Sequence, residues 1–70
     1  MNLQRLAYFV AVVDAGSVSR ASVILDISQP ALSRQISLLE EEVGHRLLTR
    51  HGRGVEPTET GQALLAHALG

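Results

Sequence analysis

The stretch Ser28-Gln29-Pro30-Ala31-Leu32-Ser33-Arg34-Gln35-Ile36 sets amide, hydroxyl and guanidinium groups close together at what reads as a helix start. Such groups hydrogen-bond base edges and phosphates, and a helix N-terminus adds partial positive charge toward an anion. Ser28 can cap the first turn, and Pro30 lies where its missing N–H costs nothing. Leu32, Ile36, Leu39 and Val43 recur on one stripe of a helix that Gly44 can end in left-handed geometry. At roughly 100° per residue, Pro30, Ser33, Arg34, Ser37 and Glu41 face away from that stripe, with Gln29 and Glu40 flanking it. An ordinary amphipathic helix with a solvated face shows the same pattern.

Other chemistries find little support. His45, His51 and His67 have no paired metal-ligand spacing, so no metal site is expected. No Gly-x-Ser-x-Gly elbow, His-Glu-x-x-His pair or phosphate-cradling glycine loop occurs, so neither an enzyme nor a cofactor is expected. The absence of cysteine excludes disulfides and thiolate sites, and no apolar run approaches a membrane span. Those features predict a cytoplasmic protein without a membrane partner.

Net charge is −1, which by itself argues against nucleic acid and suits a protein-binding module. The distribution argues the other way. All six basic residues are Arg, and Arg34, Arg46, Arg50 and Arg53 fall within one short span. The planar guanidinium suits bidentate contacts to guanine and phosphate. The run Glu40-Glu41-Glu42 confines any groove contact to the N-terminal half of the helix, and it reads as a solvated helix end.

The elements that must position these groups follow from periodicity and capping. Asn2 caps a first helix with Leu3, Leu6, Val10 and Val13 as its stripe and Phe9 and Tyr8 beside it; Ala15-Gly16 ends it. Ser17 caps a second helix from Val18 to about Leu25, with Val18, Ala21 and Leu25 inward. Asp26-Ile27-Ser28 connects it to the third, forming a helix-turn-helix. A strand around Leu47 and Leu48 within residues 45–50, a turn at His51-Gly52-Arg53-Gly54 and a return strand at Val55-Glu56-Pro57 make a wing. Thr58 caps a last helix carrying Ala63, Leu64 and Ala68, whose first turn Gly61 is expected to weaken. The fold class is therefore mainly α with a small β hairpin: a winged helix-turn-helix over 1–57, then the start of a linker helix over 58–70. That helix reaches the last residue without a convincing stop, so the chain reads as truncated within it; the alternative is Gly70 as a natural cap.

The order of these elements, together with Leu6-x-x-Phe9-x-x-Val12, Gly16-Ser17, Arg20-Ala21, Ile27 to Ile36, Leu39-Glu40, Gly44, Leu47-Leu48-x-Arg50 and Pro57-Thr58-Glu59-x-Gly61, resembles the LysR-type transcriptional regulators. Arg53-Gly54-Val55, Pro57-Thr58-Glu59 and Tyr8-Phe9-Val10 look like the branch of nitrogen assimilation control regulators. The resemblance implies a sequence-specific DNA-binding domain whose third helix enters the major groove and whose wing reaches the minor groove. It assigns base contact to Gln29, Pro30, Ser33 and Arg34, and backbone or minor-groove contact to Ser17, Arg20, Arg50 and Arg53. It further implies a homodimer or higher oligomer on an inverted-repeat DNA operator through the last helix, with Ala63, Leu64 and Ala68 at the contact. A small-molecule effector would act only through a domain that this chain does not carry. Ser22 and Leu48 depart from the family pattern, where a small apolar residue and a Phe are usual. Leu38 points away from the main stripe, and the pattern does not account for it.

Overall fold

Each helix is delimited by a local polar contact. In the computed structural model, which describes residues 1–69, the order is α1 (Leu3–Ala15), α2 (Val18–Leu25), α3 (Gln29–Val43), β1 (Leu48–His51), β2 (Gly54–Pro57) and α4 (Glu59–Leu69). The cap reading of Gly70 lies outside the described residues. Asn2 Oδ1 accepts from the Gln4 and Arg5 amides at 3.0 and 3.2 Å. Ser17 Oγ accepts from Arg20 N at 3.0 Å, Ser28 Oγ from Ala31 N at 3.2 Å and Thr58 Oγ1 from Gly61 N at 3.0 Å. Each side chain thereby satisfies a donor that the helix itself cannot. Gly16 and Gly44 close α1 and α3 at φ 81°, and Asp26 closes α2 at φ 57°. A short carboxylate side chain tolerates that left-handed geometry better than most.

The core is aliphatic around one aromatic ring. Phe9, Val12, Ala21, Leu32, Leu39 and Leu47 are fully buried, joined by Val18, Ile36, Leu48 and Val55. The inward stripe of α3 is as its spacing predicts. The stripe of α1 is not. Leu3 is 77% exposed, and Phe9 and Val12 are the fully buried positions, with Leu6 and Val13 packed at their flanks. α1 packs against both α2 and α3. Its inner face turns to bury the largest side chain, which leaves Leu3 beyond the end of the core. In α2, Val18 and Ala21 are buried and Leu25 is half-buried, while Ser22 is buried with its hydroxyl donating to the Ser19 carbonyl at 2.7 Å. That bond supplies the partner a buried hydroxyl requires.

The wing is a two-stranded antiparallel hairpin with Leu48 opposite Pro57, Thr49 opposite Glu56, Arg50 opposite Val55 and His51 opposite Gly54. Its turn is thus the pair Gly52-Arg53, and His51 and Gly54 belong to the strands. Leu47 precedes β1 and does not lie within it. The reason is a side chain from α3: Glu40 Oε2 accepts from the amides of Leu47 at 2.7 Å and Leu48 at 3.4 Å, with Arg46 Nε 3.9 Å away. Leu47 N–H is therefore spent on the helix and unavailable to a ladder. Farther along, Val55 N donates to Gly16 O at 3.0 Å, so β2 lies on the end of α1. Gly54 (φ 141°) is required there, since a Cβ would collide with the Gly16 carbonyl.

These contacts revise the reading of Glu40-Glu41-Glu42 as a solvated end. Glu40 ties down the wing, and Glu42 accepts from Arg5 Nη1 at 2.8 Å while Arg5 Nε donates to Gln35 Oε1 at 3.0 Å. The Arg5 guanidinium holds the Glu42 carboxyl below its ordinary value of 4.5. Glu41 and Glu42 remain exposed, so the solvated reading holds for these two and fails for Glu40.

Candidate nucleic-acid interface

α3 presents its polar groups at the N-terminal end, where the helix dipole is positive. Gln29, Pro30 and Arg34 are exposed and Ser33 is half-buried. Among the described residues, no side chain hydrogen-bonds the Gln29 amide or the Arg34 guanidinium, so both are available to a ligand. The acidic side chains lie at the other end of the same helix. Positive and negative ends of α3 are thus about four turns apart along its 15 residues.

The wing joins this surface. Arg50 Nη2 reaches Ser33 Oγ at 3.5 Å, at the long end of the hydrogen-bond range. A residue that the sequence reading assigned to base contact and one that it assigned to backbone or minor-groove contact are therefore neighbours. Arg53 occupies the turn of the hairpin, its amide donating to His51 Nδ1 at 3.3 Å, while His51 Nε2 lies 3.7 Å from Glu56 Oε1. Its guanidinium is exposed with the rest of the turn.

Ser17 and Arg20 sit at the start of α2. Ser17 Oγ already accepts from Arg20 N, which leaves the hydroxyl proton free to donate to an anion. Arg20 is exposed. In α4, Ala63 and Ala68 are exposed and Leu64 is half-buried against the core. At roughly 100° per residue the two alanines bound an arc of about 140° with Leu64 inside it.

Residues 3–62 match the sequence profile of the family described as bacterial regulatory helix-turn-helix protein, lysR family. The chain belongs to the LysR family. It is 54% identical over 68 residues to the nitrogen assimilation regulatory protein nac of Klebsiella aerogenes, covering 97% of this chain and 22% of that one. Identity to the HTH-type transcriptional regulator BudR of Raoultella terrigena is 52% over 68 residues, covering 97% and 23%. Such close values do not separate a nitrogen assimilation branch from other LysR regulators. The chain spans about a fifth of the length of these relatives.

Solved structures of LysR proteins share the fold. The CbnR_DBD-DNA complex superposes with a TM-score of 0.92 at 42% identity, covering 99% of this chain and 79% of that one. For the BenM_DBD/benA site 1 DNA complex the values are 0.91 and 48%, covering 99% and 80%. Both are DNA complexes of about this chain's extent.

Glu40 is the residue that sequence reasoning undervalued. Its partner amides lie seven and eight positions away, past the end of the helix and beyond the reach of a cap or turn hydrogen bond, so no local signal marks it. Gly61 was misjudged for the same reason: it is buried against Leu47, and its lack of a side chain is a packing requirement.

Proposed function

We propose that this chain is the DNA-reading part of a longer LysR regulator. Residues 1–57 would bind duplex DNA, and the helix from 58 onward would pair two copies on an inverted-repeat operator. The observation that carries the reading is the approach of wing residue Arg50 to Ser33 on α3, which makes one continuous polar surface from two elements. α3 enters the major groove by its N-terminal half, where Gln29, Pro30, Ser33 and Arg34 reach base edges. Arg53 at the wing turn enters the adjacent minor groove, and Ser17, Arg20 and Arg50 hold phosphates. That CbnR and BenM domains of the same fold, at 42% and 48% identity, were solved as DNA complexes supports the DNA-binding reading. Dimerisation engages Ala63, Leu64 and Ala68, and a small-molecule effector acts through a domain outside these residues.

Fluorescence anisotropy of a labelled inverted-repeat duplex with A/T-rich flanks, beside a scrambled duplex, tests the reading. Tighter binding to the repeat that weakens steeply with salt is expected, because phosphate contacts release counterions. Equal, salt-insensitive binding to both would instead favour a protein partner for the wing.

A further inference from the structure

Three hydrogen bonds converge on the Arg46-Leu47 segment, where three elements meet. Leu47 N donates to Glu40 Oε2 at 2.7 Å, and Leu47 O accepts from Thr58 N at 3.0 Å. One residue earlier, the Arg46 carbonyl accepts from Thr58 Oγ1 at 2.7 Å. The same Thr58 oxygen accepts from Gly61 N at 3.0 Å, and Gly61 lies so close to the Leu47 carbonyl that a Cβ there would collide with it. A continuous path therefore runs from the Glu40 carboxylate on α3, through the Leu47 peptides, to the first turn of α4.

Other restraints on α4 are few: Leu64 and Leu65 rest partly buried on the core, while Gln62, Ala63, Ala66, His67 and Ala68 are exposed. We infer that Glu40 and Gly61 act as positioning residues that set the direction of α4 relative to α3, and hence the spacing of DNA half-sites a dimer accepts. This rests on the DNA-reading and pairing proposed above. The 11 residues of α4 make a lever about 16 Å long, so a tilt of about 10° at its base moves the far end by about 3 Å. Duplex DNA advances about 3.4 Å per base pair along its axis. A small displacement of Leu47 thus changes half-site separation by about one base pair.

The test measures binding of the intact protein and its Glu40→Gln and Gly61→Ala variants to inverted repeats whose half-site separation varies in single-base-pair steps, with an isolated half-site as reference. Glu40→Gln keeps one acceptor but removes the charge that serves two amides; Gly61→Ala pushes on Leu47 from the opposite side. The expected result for either variant is a preferred spacing shifted by at least one base pair, or a preference between adjacent spacings reduced to under about threefold, with half-site affinity within about threefold of wild type. An unchanged optimum with equal loss at every spacing would overturn the inference, leaving Glu40 a stabilising residue only. Should Gly61→Ala fail to fold, Glu40→Gln decides alone. A wild type that binds half-sites without any preferred spacing also overturns this inference while sparing DNA reading; no binding to half-site or repeat overturns the DNA-reading itself.

Discussion

Arg50 on the wing and Ser33 on α3 lie 3.5 Å apart, so a residue assigned to the phosphate backbone touches one assigned to the bases. Residues in contact share their energetics. In a double-mutant cycle on DNA affinity, Ser33→Ala and Arg50→Ala are expected to be non-additive by about 0.5–1 kcal/mol. Additive losses measured by anisotropy would mean the two side chains part when DNA arrives.

Arg34 differs from Arg50 because no side chain within the described residues hydrogen-bonds its guanidinium. Arg34→Ala is expected to cost about 1–3 kcal/mol on the preferred sequence and little on random DNA, the mark of a lost base contact. Arg20→Ala should weaken both duplexes alike and reduce the slope of log affinity against log salt by about 0.9. Titrations at several salt concentrations separate these behaviours.

Acid should weaken the polar contact between α1 and α3 made by Arg5 and Glu42. Glu42 is held below its ordinary value first by the hydrogen bond from Arg5, so its contribution to stability is present above the unfolded carboxyl value near 4.5 and fades as pH falls through the lower folded one. The Tm of Glu42→Gln should lie below wild type at pH 7, and the gap should close on the acid side of 4.5. A gap independent of pH would assign the loss to something other than this ion pair.

Gly61 gives opposite predictions from sequence and from packing. Glycine inside a helix costs up to about 1 kcal/mol relative to alanine, so a solvated position would gain from Gly61→Ala. Here the added Cβ strikes the Leu47 backbone carbonyl, and overpacking of that kind costs about 1–3 kcal/mol. Urea denaturation should therefore show destabilisation, whereas Gly52→Ala, with open space around it, should stay within about 0.5 kcal/mol of wild type.

Pairing through α4 is tested most directly at its exposed face. Ala63→Glu places a charge on both sides of a symmetric contact, because an isologous interface uses the same patch of each copy. Sedimentation equilibrium of the intact protein should then show a weaker dimer. Unchanged association would move the contact away from Ala63.

Much of the fold was legible because its signals are local. Asn2, Ser17, Ser28 and Thr58 each satisfy amides no more than three residues away, so helix starts could be placed from residue type alone. The α3 stripe was equally clear, since Leu32, Ile36 and Leu39 repeat at the helical period. The α1 stripe was less so: Leu3 and Val12 are both apolar, and only the packing of α1 against α2 and α3 buries one and exposes the other. The start of β1 was misplaced because Leu47 has the composition of a strand residue, but its amide is taken by Glu40.

By itself the sequence determined the four helices, the hairpin between the third and fourth, and the polar N-terminal face of α3, all of which depend on interactions between residues close along the chain. Tertiary structure alone decided that Arg50 meets Ser33 across 17 positions, that Arg5 meets Glu42 across 37, and that Glu40 and Gly61 converge on Leu47. The physical reason is separation: capping and periodicity act within a turn or two of helix, whereas these contacts exist only once packing has brought distant segments together.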